Sequence, residues 1–171
     1  MATQNPNIMP KAAMEKIYST AGSQEPLISE ILAKVNNAKD KPKKIDVLKK
    51  ADSPSLRMII KGAFDPSIKW ALPPGTPPYI ENEAPDGTEH TLLSQEAKRL
   101  WHFVDGADAE TTKTQKETMF IQILEGLHAD EAQVLIGMKN KSLNKMYKGL
   151  TSAMVREAFN WNDKFMQNEN N

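Results

Sequence analysis

The sequence predicts an all-α fold: one compact domain of about seven helices. The prediction rests on three observations. Apolar residues recur at three- and four-residue spacing in segment after segment, as in Leu56, Ile59, Ile60, Ala63 and Phe64. No stretch sustains strict apolar–polar alternation, and no hairpin dipeptide separates two β-branched runs. Helix-start signals punctuate the chain: prolines suited to a first turn at Pro26, Pro42 and Pro54, and capping residues at Ser53 and Thr151.

Taken in order, residues 1–9 are polar and read as a flexible start. Residues 10–165 form the helical domain, and residues 166–171 are a polar tail. A short helix is expected over residues 10–18, ending near Ala21-Gly22. The first firm helix opens at Pro26, turns Leu27, Ile28, Ile31, Leu32 and Val35 inward, and stops at Asn36-Asn37. A lysine-rich helix follows: Lys39, Lys41, Lys43, Lys44, Lys49 and Lys50 outnumber Asp40 and Asp46, while Ile45 and Leu48 face the core. Ser53-Pro54 starts the central helix, which Asp65-Pro66 stops before a turn holding Ile68, Trp70 and Leu72.

Residues 73–91 hold five prolines and two glycines. With Glu81, Glu83, Asp86 and Glu89 they describe a long, acidic, semi-rigid loop in extended or polyproline geometry. It reads either as a crossing between two halves of the domain or as a docking loop for a protein. Thr91 is placed to cap the next helix, with Leu93, Ala97, Leu100, Trp101 and Val104 on its buried side. Asp105-Gly106 ends it. A long helix is expected over residues 112–127, with Phe120, Ile123, Leu124 and Leu127 inward. Another begins at Ala129-Asp130-Glu131, where acids suit the helix dipole. Residues 152–160 form the last, and the chain is expected to fray beyond Phe165.

Composition narrows the chemistry. Among 171 residues the formal net charge is zero, so attraction to nucleic acid or anionic lipid must be local. There is no cysteine, hence no disulfide, thiolate metal site or cysteine nucleophile. His90, His102 and His128 lack a second ligand at helical spacing, so no metal is expected. The sequence contains no HExxH, EF-hand loop, GxxxxGK[ST], GxGxxG or GxSxG motif. No enzyme activity and no cofactor are expected. No apolar run approaches the roughly 18 residues of a membrane span, and the start MATQNPNIMPK has no apolar signal core, which suggests a cytosolic protein.

One stretch stands out. From Ala132 to Arg156 there is no acid, while Lys139, Lys141, Lys145, Lys148 and Arg156 are basic. Within it, Lys148-Gly149-Leu150-Thr151 reads as a glycine turn into a capped helix, with Leu150 stapled onto Val155. A helix start carries free N–H groups and partial positive charge, which favours anions. A solvated basic surface with an ordinary cap is the bland alternative.

SLRMIIKGAFDPSIKWAL and EAQVLIGMKNKSLNKMYKGLTSAMVREAF resemble parts of the N-terminal helical DNA-binding domain of ATP-dependent DNA ligases. The second ends, as that domain does, in a basic glycine turn and a capped helix closing on an alanine–aromatic pair. The runs FDPSIKWALPPGTPPY, FIQILEGLHADEAQVLIGMKNK and YKGLT resemble a family of small proteins of large T-even-type tailed phages. The ligase KxDG box and nucleotidyltransferase domain are absent, so nick sealing is not implied. The resemblance implies a non-catalytic phage accessory protein gripping duplex DNA in replication, repair or packaging, in the host cytoplasm or the virion. The implied DNA contacts are Lys141, Lys145, Lys148, Gly149, Thr151 and Ser152, with Lys43 and Lys44 as a second patch. The alternative is a protein–protein module, in the virion or acting on a host or phage machine. It would use Trp70, Tyr79, Glu81, Glu83, Asp86 and Glu89.

Overall fold

A computed structural model describes residues 26–85 and 87–161. The short helix expected over residues 10–18, both chain ends and Asp86 lie outside the described residues. Among the described residues are eight α-helices and no strand: α1 Ile28–Asn37, α2 Lys41–Lys50, α3 Pro54–Phe64, α4 Leu93–Glu96, α5 Lys113–Gly126, α6 Ala129–Lys139, α7 Leu143–Met146 and α8 Ser152–Phe159. A 3₁₀ segment, Ala97–Phe103, continues α4. The all-α expectation holds.

Local chemistry sets most helix starts. Ser53 Oγ accepts the Leu56 N–H at 3.1 Å with Pro54 behind it. Asp40 Oδ1 accepts the Lys43 N–H at 3.0 Å. Thr112 and Gln115 form a reciprocal capping box at α5, at 3.2 and 2.9 Å. Thr91 departs from expectation. It does not cap α4, whose N-cap is Leu92 without a side-chain bond. Its hydroxyl donates instead to Glu96 at 2.9 Å.

The core is one apolar cluster with α6 at its centre, where Val134, Leu135 and Met138 are wholly buried. Helix α3 lies most extensively on α6, α2 packs on both α1 and α8, and α5 pairs with α6. The start of α6 also carries a buried carboxylate. Glu131 accepts the N–H of Ile28 and that of Leu93, both at 3.1 Å, and so holds the first turns of α1 and α4 together. Burial pushes the Glu131 carboxyl above its usual range, although those two N–H groups and His128 pull the other way.

The turn between the 3₁₀ segment and α5 is built on Asp108. It accepts the Thr111 hydroxyl at 2.6 Å and pairs with His102 Nδ1 at 2.8 Å. Those bonds, Thr111 first, hold its carboxyl well below the ordinary range. An isolated antiparallel bridge joins Trp70 to Val104.

Residues 73–85 and 87–91 run as a strap over α5 and α6. Lys139 Nζ donates to Pro73 O and Gly75 O, both at 2.8 Å, and Asn140 Oδ1 accepts the Gly75 N–H at 3.2 Å. Farther on, Gln133 donates to the Tyr79 hydroxyl at 3.0 Å and the Ile80 N–H reaches Glu125 at 3.3 Å. The strap ends where Thr91 N–H donates to Gly126 O at 3.1 Å. Among the described residues, no helix is long and apolar enough to cross a membrane.

Candidate nucleic-acid interface

The start of α8 is built as its residues dictate. Thr151 has extended backbone, and its hydroxyl accepts the Met154 N–H at 3.3 Å. Leu150 and Val155 are both fully buried beside it, as a staple requires. Thr151 and Ser152 are exposed.

The turn before α8 meets the end of α1. The Gly149 N–H donates to Asn36 Oδ1 at 2.9 Å. A Cβ on Gly149 would stand 3.3 Å from Asn36 Cα and crowd the Lys44 ammonium. Glycine is therefore used here for close approach. Lys44 Nζ lies in the same contact and donates to Val35 O and Asn36 O, both at 3.0 Å. It satisfies carbonyls at the negative end of α1. The two lysine patches that are separate in sequence thus share one corner.

That corner includes cations the motif reading passed over. Lys39 and Lys41 lie at the α1–α2 junction and are exposed, as are Lys43, Lys145 and Lys148. Lys41 meets Glu157 of α8 at 2.7 Å, and Lys43 meets Asp40 at 3.8 Å. Both are exposed pairs of small net worth, which a phosphate can displace. Lys145 and Lys148 make no ion pair with another described residue.

Three expected contacts are already engaged within the chain. Lys44 and the Gly149 amide serve the α1–α8 junction described above. Lys141 adopts left-handed backbone, φ 55°, as the residue that ends α6. Its Nζ donates to Gly62 O at 2.6 Å and Asp65 O at 2.9 Å, closing the C-terminal end of α3. Burial lowers its pKa, against the opposing pull of Asp65. These groups already have partners, so the anion-facing set contracts to Lys43, Lys145, Lys148, Thr151 and Ser152, joined by Lys39 and Lys41.

The residues of the protein-binding alternative divide as well. The Trp70 indole N–H donates to Gly62 O at 3.0 Å, and its ring packs against the core. Tyr79 is half-buried, with its phenol pKa raised by burial. Glu81 and Glu83 are exposed. Glu89 is half-buried and accepts the Gly87 N–H at 2.9 Å. Sequence reasoning passed over Ile80, which is 78% exposed between Tyr79 and Glu81. Among the described residues, no group of three or more acids and histidines is placed to hold a metal ion.

No curated protein and no solved structure matches this chain. One family model does, over residues 31–145, which runs from within α1 to within α7 and stops short of Lys148. That match covers more than half of the 171 residues, and the chain belongs to this family of unknown function, DUF6433.

Proposed function

We propose that the chain is a non-catalytic accessory protein that grips the phosphate backbone of duplex DNA at the α1–α2 and α7–α8 corner. One observation carries the reading: the Asn36–Gly149 bond brings the turn that holds Lys148 against the end of α1, which leads into Lys39, Lys41 and Lys43. The resemblance of residues 150–159 to the ending of the ligase helical domain supports it further. Lys39, Lys41, Lys43, Lys145 and Lys148 supply point charges, and Thr151 and Ser152 supply hydroxyls. Such contacts fix position on a duplex without reading its sequence.

Magnitudes follow from counterion release. Neutralising about four phosphates gives a slope of log affinity against log salt of roughly −4. Fluorescence anisotropy on a labelled duplex, nicked and intact, tests this. Lys145→Glu with Lys148→Glu is expected to weaken binding by at least about tenfold and to flatten the slope by about 2. Both positions are exposed, so the fold should persist, which circular dichroism checks. Unchanged affinity and slope in the double variant would remove this surface from consideration.

A further inference from the structure

A groove of 660 Å³ runs between α1, α2 and the starts of α3 and α4. Its bed is apolar, with Ile28 and Ile31 from α1 and Val47 and Ala51 from α2. Lys34 and Lys50 stand at its edge, both exposed. Lys50 meets Asp46 at 2.9 Å in an exposed helical pair, which is weak and displaceable. Asp52, the acid in the lining, is held by two 2.6 Å bonds from Arg57. Ser53, Ser55, Ser94 and Gln95 make the opposite wall polar. The groove therefore offers an aliphatic side, formed by α1 and α2, with positive charge at its rim.

The strap presents the complement. Ile80 leaves 78% of its surface in water, more than Trp101 or Met146. Glu81 and Glu83 follow it, both exposed. The knob is also held still. Tyr79 is fixed by Gln133, the Ile80 N–H by Glu125, and Pro77 and Pro78 restrict the approach. Ordering such a segment on binding costs little entropy. Ile80 cannot fill the groove of its own chain, because the strap is tied to α5 and α6 on either side of it.

We propose that the strap of one copy docks in the α1–α2 groove of a second copy. Ile80 seats among Ile31, Val47 and Ala51, and Glu81 and Glu83 face Lys34 and Lys50. Charge complementarity selects this occupant, since knob and hole carry opposite signs on the same chain. The contact is heterologous, so it propagates into a ring or an open chain rather than closing as a simple pair. It stands apart from the DNA corner, because none of Ile80, Lys34 and Lys50 belongs to that surface.

Sedimentation equilibrium on the full chain tests it. Wild type should rise above monomer mass with concentration and return toward it as salt screens the charges. Ile80→Asp alone, and Lys34→Glu with Lys50→Glu, should each lower the association constant by at least about tenfold. The decisive sample is the one-to-one mixture. Ile80→Asp keeps an intact groove and the lysine variant keeps an intact strap, so together they should form dimers and nothing larger. All changed side chains are exposed, and circular dichroism confirms that each variant is folded. A wild type that stays monomeric at every concentration overturns the proposal. A mixture no stronger than either variant alone overturns it as well.

Discussion

Glu131 is the residue on which two helix starts depend. It lies 103 positions from Ile28 and 38 from Leu93, and is 1% exposed. Removing its carboxylate would leave two buried N–H groups without acceptors. Glu131→Ala is expected to cost roughly 2–6 kcal/mol, since each orphaned donor costs about 1–3. Glu131→Gln retains one acceptor oxygen and should lose less. Its pH behaviour follows from the raised carboxyl pKa. A folded pKa above the unfolded one means that the stability contribution is full below the ordinary glutamate range. It is lost as pH rises through the folded value. The melting advantage of wild type over Glu131→Gln should therefore be larger in mild acid than at neutral pH. Thermal melts of the pair across that range check this, and a gap that widened toward neutral pH would contradict it.

The same residue shows where a single sequence stops being informative. Asp130-Glu131 reads as two acids suited to the α6 dipole, and so far as local chemistry goes that is sound. Nothing in the neighbouring residues says that Glu131 reaches across to other helices. The lysines repeat the lesson. Lys44, Lys139 and Lys141 read as surface charge, yet each closes backbone carbonyls elsewhere in the chain. A long aliphatic stem lets an ammonium do this from a helix end without burying its own backbone. Partners such as Gly62, 79 positions from Lys141, leave no periodic trace.

At the scale of elements, the legible features were those settled within four residues. Ser53-Pro54 and Thr151 mark helix starts that the structure contains, and the helix expected from residue 112 starts there, on a Thr112–Gln115 box that the sequence reading did not name. The stretch after Thr91 was less legible. Its spacing suits one α-helix, whereas the chain makes a single α turn and then a 3₁₀ run. That run ends in the bridge to Trp70, where Phe103 O accepts the Ala71 N–H and Lys69 O accepts the Asp105 N–H, both at 2.7 Å. A long-range demand overrides the local period. The exposed face of Trp101 is a consequence: expected inward, it is 48% exposed and stacks on His102.

The α3–α6 contact gives a prediction of its own kind. At Gly62 a Cβ would lie 2.6 Å from Trp70 Cζ2 and 2.9 Å from Met138 Sδ. Helix propensity alone favours alanine over glycine by about 1 kcal/mol. Packing opposes it, because Trp70 is pinned through its indole N–H to Gly62 O. Overpacking should win, and Gly62→Ala is expected to lose about 1–3 kcal/mol in chemical denaturation. Its midpoint should fall with no change in slope. A stabilised variant would mean that the indole swings aside freely.

For the whole molecule, zero net charge conceals uneven use along the chain: residues 132–156 carry no acid, and the strap carries Glu81, Glu83 and Glu89 with no lysine or arginine. The strap itself is held to the helical body through a few side chains, and Lys139 is the strongest of them. Its ammonium donates to Pro73 O, Gly75 O and Asn140 Oδ1, the last at 2.5 Å. Burial lowers its pKa, but three acceptors keep a proton donor useful there. Lys139→Met preserves the stem and deletes the donors. Pro73 and Gly75 are exposed, so their carbonyls can turn to water, and the global loss should be only about 1 kcal/mol. The larger effect should be local. Amide exchange at Gly75 and Ile80 should quicken, while the α3 and α6 amides behind the wholly buried Ile59, Ile60, Leu135 and Met138 keep their protection. Exchange read by mass spectrometry separates the outcomes. Selective loosening of the strap makes it a unit hung on a stable body. Uniform loss of protection would make it part of the core, and Ile80 would then be presented by the fold as a whole.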